Sequence, residues 1–113
     1  MPAKASIRLV HSGFSPEIKL EYNVLRKSVL ILRSINHTLR QQIIQMLLEK
    51  EKLTVTEIFI KMRLEQSVAS QHLAILKRSG VVTSEREGKN IYYMLKKDRL
   101  REIGNMIIEL SHA

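Results

Sequence analysis

Short hydroxyl and amide side chains are concentrated in one segment of the sequence, LEQSVASQHLAILKRSGVV, which covers residues 64–82. Ala69, Leu73 and Leu76 recur at the four-then-three spacing that lines one side of an α-helix, so that side is suited to packing. The opposite side carries Ser, Gln and Ala where a merely solvated helix would usually carry Lys and Glu. The pattern indicates a helix face that a partner approaches closely.

Nine side chains in and after this segment are candidates for contact with DNA. A recognition helix enters the major groove with its N-terminal half leading, and basic side chains behind it reach phosphates. Gln71 is the main candidate for base reading, because an amide can pair bidentately with adenine, and Val68 could pack on a thymine methyl. The alternative is that they are ordinary solvated side chains. The set is Gln66, Ser67, Val68, Ser70, Gln71, Lys77, Arg78, Arg86 and Lys89.

The charge of the chain favours a polyanionic partner. Its net charge is +8 and its pI is about 10.1. Residues 61–101 hold ten basic and four acidic side chains, so the excess is densest around the segment that could face phosphates. A protein that is basic without binding nucleic acid is the alternative interpretation.

Composition excludes several classes of function. A chain of 113 residues allows one domain, and the absence of cysteine removes disulfides, thiolate metal sites and thiol catalysis. There is no Gly-rich phosphate loop and no recognisable pair of catalytic carboxylates, so an enzyme is not expected. The first residues lack the apolar run of a signal peptide, and no stretch is long enough to span a membrane, so we expect a cytoplasmic protein.

The chain is predicted to begin with a flexible arm, residues 1–14, which is followed by one domain, residues 15–113. Ser15-Pro16-Glu17 has a capping hydroxyl, a first-turn proline and an acid in the order that begins a helix. Apolar residues then follow at helical spacing as far as Ile35.

Three further helices are predicted before residue 81. Asn36 can cap the second helix, and Thr54 with Glu57 has the spacing of a capping box that begins a short third helix. The opening segment follows after a tight turn and ends at Gly80, where a residue with positive φ is needed. Two helices joined this closely form a helix-turn-helix.

The last part of the chain changes from helical to strand-like periodicity. Residues 82–86 and 90–95 predict two strands, with Glu87-Gly88-Lys89 as the turn of a hairpin. A final helix is predicted from Asp98. The fold class is therefore mostly α with a small β-hairpin wing, in the order α-α-α-α-β-β-α.

The first and last helices are apolar over more of their circumference than packing within one chain requires. Such a surplus suggests burial against a second subunit. The candidate residues of this dimer interface are Ile18, Tyr22, Leu25, Val29, Leu100, Ile103, Ile107 and Leu110.

The order of elements resembles the winged helix of the ArsR/SmtB family of bacterial transcriptional repressors over roughly residues 18–111. The residues that carry the resemblance are Arg40–Leu47, Leu53–Ile58, Gln66, Ser67, Ser70, His72, Leu73, Leu76, Lys77–Val82, Arg86, Gly88, Lys89 and Tyr93. The resemblance implies a homodimer, formed by the first and last helices, that binds an inverted-repeat operator in double-stranded DNA and blocks transcription.

Members of the ArsR/SmtB family often sense metals, but metal sensing is not expected in this chain. The family's thiolate site corresponds to Thr54 and Thr56, and threonine cannot replace a soft thiolate ligand. Of a second family site on the last helix, only Asp98 is present. We predict no metal and no cofactor. His72 is expected to be a packing residue rather than a ligand.

Two matters stay open in the sequence. The chain could be a winged-helix module that binds a protein instead of an operator, although its candidate face carries one sizeable apolar side chain, Val68, and no aromatic anchor. The effector that would release it from DNA is unknown.

Overall fold

The computed structural model describes residues 6–9 and 18–112, with side chains from residue 20 onward. The chain divides into two units between Arg33 and Ser34, and they are described in turn.

The first unit contains a short hairpin and a helix. Strand β1 (Ser6–Leu9) pairs antiparallel with β2 (Ile18–Glu21), in the register Ser6 opposite Glu21. Helix α1 (Tyr22–Ile35) follows directly and ends just past the division. The large apolar side chains of α1 up to residue 30 are exposed, which agrees with a helix apolar over much of its circumference; they are Tyr22, Val24, Leu25, Val29 and Leu30.

One prediction for this unit is wrong, because residues 18–21, which were expected to be helical, form β2. Ser6–Leu9, which fall within the predicted arm, form β1. Both stretches, IKLE and SIRL, alternate apolar and polar residues, the period of a strand. The predicted helix start at Ser15 lies outside the described residues. The division into an arm and a domain stays a prediction.

The second unit is a winged helix. It contains α2 (Thr38–Glu49), β3 (Leu53–Thr54), α3 (Val55–Met62), α4 (Gln66–Arg78), β4 (Val82–Glu87), β5 (Asn90–Leu95) and α5 (Lys97–Ser111). The three strands form an antiparallel sheet in the order β3-β5-β4. The core of the unit consists of side chains that are fully buried, namely Ile43, Leu47, Ile58, Leu73, Leu76, Val81 and Val82.

The predicted helix ends agree with the structure in two places. Thr54 and Glu57 form a capping box, in which the Thr54 hydroxyl accepts from the Glu57 amide at 3.1 Å and the Glu57 carboxylate accepts from the Thr54 amide at 2.9 Å. Gly80 has φ +82° and follows the last turn of α4. Val81 N–H donates to the Leu76 carbonyl and Gly80 N–H to the Lys77 carbonyl, the pair of bonds of a Schellman motif.

Three details of the second unit differ from the predictions. The cap of α2 is His37 rather than Asn36, since His37 Nδ1 accepts from the Leu39 amide at 3.1 Å. Glu87 lies in β4 and pairs with Asn90, so the hairpin turn contains two residues, and Gly88 takes φ +65° there. Strand β3 was not predicted, and α5 begins one residue before Asp98.

Candidate nucleic-acid interface

Helix α4 presents the predicted recognition residues to the outside. Ala69, Leu73 and Leu76 are buried in the core of the second unit, and this fixes the rotation of the helix about its axis. The opposite face carries the polar side chains. Gln66, Ser67, Ser70 and Gln71 are exposed, and Val68 is half-buried beside them.

The turn before α4 brings it close to α3. Arg63 ends α3 in the left-handed conformation, at φ 57°, and its amide donates to the Ile60 carbonyl at 3.2 Å. The Leu64 amide donates to the Phe59 carbonyl at 3.0 Å, so the chain reverses within a few residues. A positive φ is uncommon for a residue other than glycine, and the spacing of apolar residues did not reveal it.

The wing places two basic side chains at one end of the sheet. Arg86 lies near the end of β4 and Lys89 lies in the hairpin turn, and both are exposed. Lys77, at the end of α4, donates from Nζ to Ser84 Oγ of β4 at 2.7 Å, so its ammonium lies at the junction between helix and wing. Arg78 is exposed beside it.

The charge of the wing depends on a pair that the sequence analysis did not identify. Lys52, between α2 and β3, lies 2.5 Å from Glu87 Oε2 and 4.7 Å from the centre of the Tyr92 ring. The hydrogen bond to Glu87 raises the pKa of Lys52 above its ordinary value of 10.5. Since 35 residues separate the two partners, local sequence patterns gave no signal for this pair.

His72 lies against a second histidine. Its ring centre is 4.8 Å from that of His37, at an interplanar angle of 51°. Burial, followed by the nearby His37 and Arg40, lowers the pKa of His72 below 6.5. Within residues 6–9 and 18–112, no three His, Cys, Asp or Glu side chains form a group that could hold a metal ion. Thr54, at one of the family's thiolate positions, serves as a helix cap.

The predicted dimer residues differ in how much surface they offer. Tyr22, Leu25 and Val29 of α1 are exposed, as are Ile107 and Leu110 of α5, and Leu100 is half-buried; the side chain of Ile18 lies outside the described part of the chain. Ile103 is only 5% exposed. It lies in the core of its own unit, and its place in an interface between subunits stays a prediction.

A helix-turn-helix followed by a β-hairpin wing, with polar residues on the outer face of the second helix, defines a winged-helix DNA-binding protein. Residues 38–84 match the bacterial regulatory protein, arsR family. The chain belongs to this ArsR family. It is a DNA-binding transcription regulator and not an enzyme, and the predicted fold class is confirmed.

Relatives and solved structures agree with this assignment. Over 86 residues the chain is 37% identical to the transcriptional activator HlyU of Vibrio cholerae, covering 76% of this chain and 75% of HlyU. It is 33% identical over 85 residues to the transcriptional repressor PagR of Bacillus anthracis, covering 75% and 85%. The structure of reduced HlyU from Vibrio cholerae superposes with a TM-score of 0.62 at 31% identity, over 80% of this chain and 95% of that one.

Neither relative's name supports the alternative of a protein-binding module. Among the helices that the structure describes, none is long and apolar enough to cross a membrane.

Proposed function

We propose that the chain acts as a homodimer that binds an inverted-repeat operator and represses transcription by occupying it. The observation that carries this proposal is the outer face of α4, where Gln66, Ser67, Ser70 and Gln71 are exposed on a helix whose other face is fixed in the core. Gln71 reads bases, the serine hydroxyls contact bases or phosphates, and Val68 packs on a thymine methyl. A regulator of this kind works in the cytoplasm, where its operator is accessible.

Basic side chains supply affinity that does not depend on sequence. Lys77, Arg78, Arg86 and Lys89 belong to α4 and the wing, and each would neutralise a phosphate. Two copies of this set in a dimer would give a binding constant that falls steeply with salt. The apolar side chains exposed on α1 and on α5, each considered on its own helix, support dimerisation.

Repression is favoured over activation as the simpler physical outcome, because a bound dimer excludes other proteins from its site without needing a contact to them. PagR is named a repressor, whereas HlyU is named an activator. In vitro transcription from the chain's own upstream promoter tests this choice, since a repressor lowers the yield of transcript and an activator raises it.

Binding itself is tested by fluorescence anisotropy with the upstream duplex and a scrambled duplex of equal length. With about six to ten phosphate contacts, the operator affinity should fall about 10³- to 10⁵-fold between 50 and 200 mM salt. The upstream duplex should bind at least about 10³-fold more tightly than the scrambled one. Equal affinity for both duplexes, or no binding to either, would show that the chain does not read an operator.

A further inference from the structure

Two histidines lie in contact between the recognition helix, α4, and the N-terminus of α2. His37 caps α2 through Nδ1, which accepts the Leu39 amide at 3.1 Å, and its ring lies 4.8 Å from the ring of His72 on α4. The acceptor role places the His37 proton on Nε2. The His37 side chain thus caps the N-terminus of α2 and also contacts α4.

Few groups around these two histidines would stabilise a positively charged ring. Nδ1 of His72 and Nε of Arg40 are buried, and neither has a hydrogen-bond partner in the described part of the chain. The charged groups that act on His72 are His37 and Arg40, both from α2. Helix α3 and strand β4 also pack against α4, and among the described residues neither contributes a charge that acts on His72.

Protonation is therefore disfavoured in the native arrangement. Burial, then His37 and Arg40, hold the pKa of His72 below 6.5. A base whose pKa is lower in the native state binds more protons when unfolded, so the native arrangement is favoured above pH 6.5 and is lost progressively as the pH falls through the lowered pKa.

We propose that His37 and His72 are positioning residues for the recognition helix, and that protonation of His72 weakens specific operator binding. The proposal rests on the proposed operator binding. In the neutral state the ring contact holds α4 against the first turn of α2. When His72 carries a proton, repulsion from Arg40 separates the two helices, and the outer face of α4 loses its alignment with the bases.

The test is the ratio of the affinity for the upstream duplex to that for a scrambled duplex, measured between pH 8 and pH 5.5. The ratio removes the general gain in DNA affinity that a protonated histidine brings. For the wild-type chain we expect the ratio to fall about fivefold or more, the lower end of usual coupling between sites. His37→Asn keeps a side-chain acceptor at the cap and leaves His72 able to take up a proton, so its ratio should still fall over the same range.

Two further variants make the experiment decisive. His72→Phe keeps a ring in the contact without a titratable group, and its ratio should stay within about twofold over the same pH range, given the 5-fold change expected of the wild type. His112→Asn, at the exposed C-cap of α5, is the matched control and should retain the wild-type profile. A flat wild-type profile, or a His72→Phe profile that still falls like the wild type, would overturn the proposal. Absence of specific binding at pH 8 would instead overturn the proposed function.

Discussion

The first half of α4 and the second half of α5 each have an exposed face, but the two faces carry opposite chemistry. The outer face of α4 consists of Gln and Ser with one half-buried valine. In α5, by contrast, Met106 is 64% exposed, Ile108 56% and Leu110 78%. Exposed apolar side chains gain free energy only when another apolar surface covers them. The polar face of α4 gains most from a partner with hydrogen-bonding groups, such as a base edge.

This difference suits the two faces to different partners. The largest predicted effect comes from a charged substitution on the exposed apolar face of α5. Ile107→Glu places a charge in the proposed dimer interface, where it would be buried without a partner. We expect a monomer at micromolar concentration in sedimentation velocity, and an operator affinity reduced about 100-fold, as for the loss of an interface hot spot.

The matched control for this substitution is Asn105→Glu, which adds the same charge to the same exposed helix about 160° away around its axis. This variant should remain a dimer. If Ile107→Glu also sediments as a dimer with unchanged operator affinity, the apolar face of α5 is not the interface.

The second prediction concerns the Gln71 amide, the main candidate for base reading on the polar face of α4. Gln71→Ala should reduce the preference for the operator over a scrambled duplex about tenfold, because a bidentate amide pair contributes about 1–3 kcal/mol of discrimination. Anisotropy titrations with both duplexes measure it. Gln42→Ala, an equal change on the exposed side of α2, should leave the preference unchanged. Equal losses on both duplexes would mean that Gln71 contacts the backbone and not a base.

Much of the second unit could be predicted because its signals are local. The capping box at Thr54 and the positive φ at Gly80 each depend on a few neighbouring residues, and both agree with the structure. The exposure of Gln71 followed from the spacing of Leu73 and Leu76, since a buried stripe determines which side faces outward.

The features that were missed depend on pairing across the sequence or on residues that fit two patterns. Strand β3 has two residues and exists through its pairing with Tyr92 and Tyr93, so it has no period of its own. IKLE fits both a strand and the edge of a helix. The cap at His37 was assigned to Asn36 because asparagine is a preferred cap and histidine is not. The contact between His37 and His72 could not be found because the two residues lie far apart in the sequence.

The third prediction concerns affinity without specificity. Arg86→Ala and Lys89→Ala should each weaken binding to every duplex about three- to fivefold at low salt, and reduce the salt slope by about 1 for each contact removed. Titrations at several salt concentrations give both quantities. Arg101→Ala is the control, since Arg101 lies on α5 and donates to Asp98 Oδ1 at 2.9 Å. A loss confined to the operator would place Arg86 or Lys89 on a base.

The smallest predicted effect concerns Lys52, which opposes the acidic side chain at the tip of the wing. Exposed ion pairs contribute little to stability, so Lys52→Met should leave the melting temperature almost unchanged. It would, however, uncover the charge of Glu87 beside Arg86, and we expect affinity for all duplexes to fall about twofold at low salt, as removal of a screened surface charge implies.

A double-mutant cycle with Glu87→Gln separates neutralisation from direct contact. If Lys52 acts by masking Glu87, the loss disappears in the Glu87→Gln background, because no carboxylate is left to repel the phosphates. If Lys52 itself contacts a phosphate, the loss persists there and the salt slope falls as it does for Arg86→Ala. The first outcome would show that the affinity supplied by the basic wing depends on a residue outside it, and the second would add Lys52 to the DNA contacts.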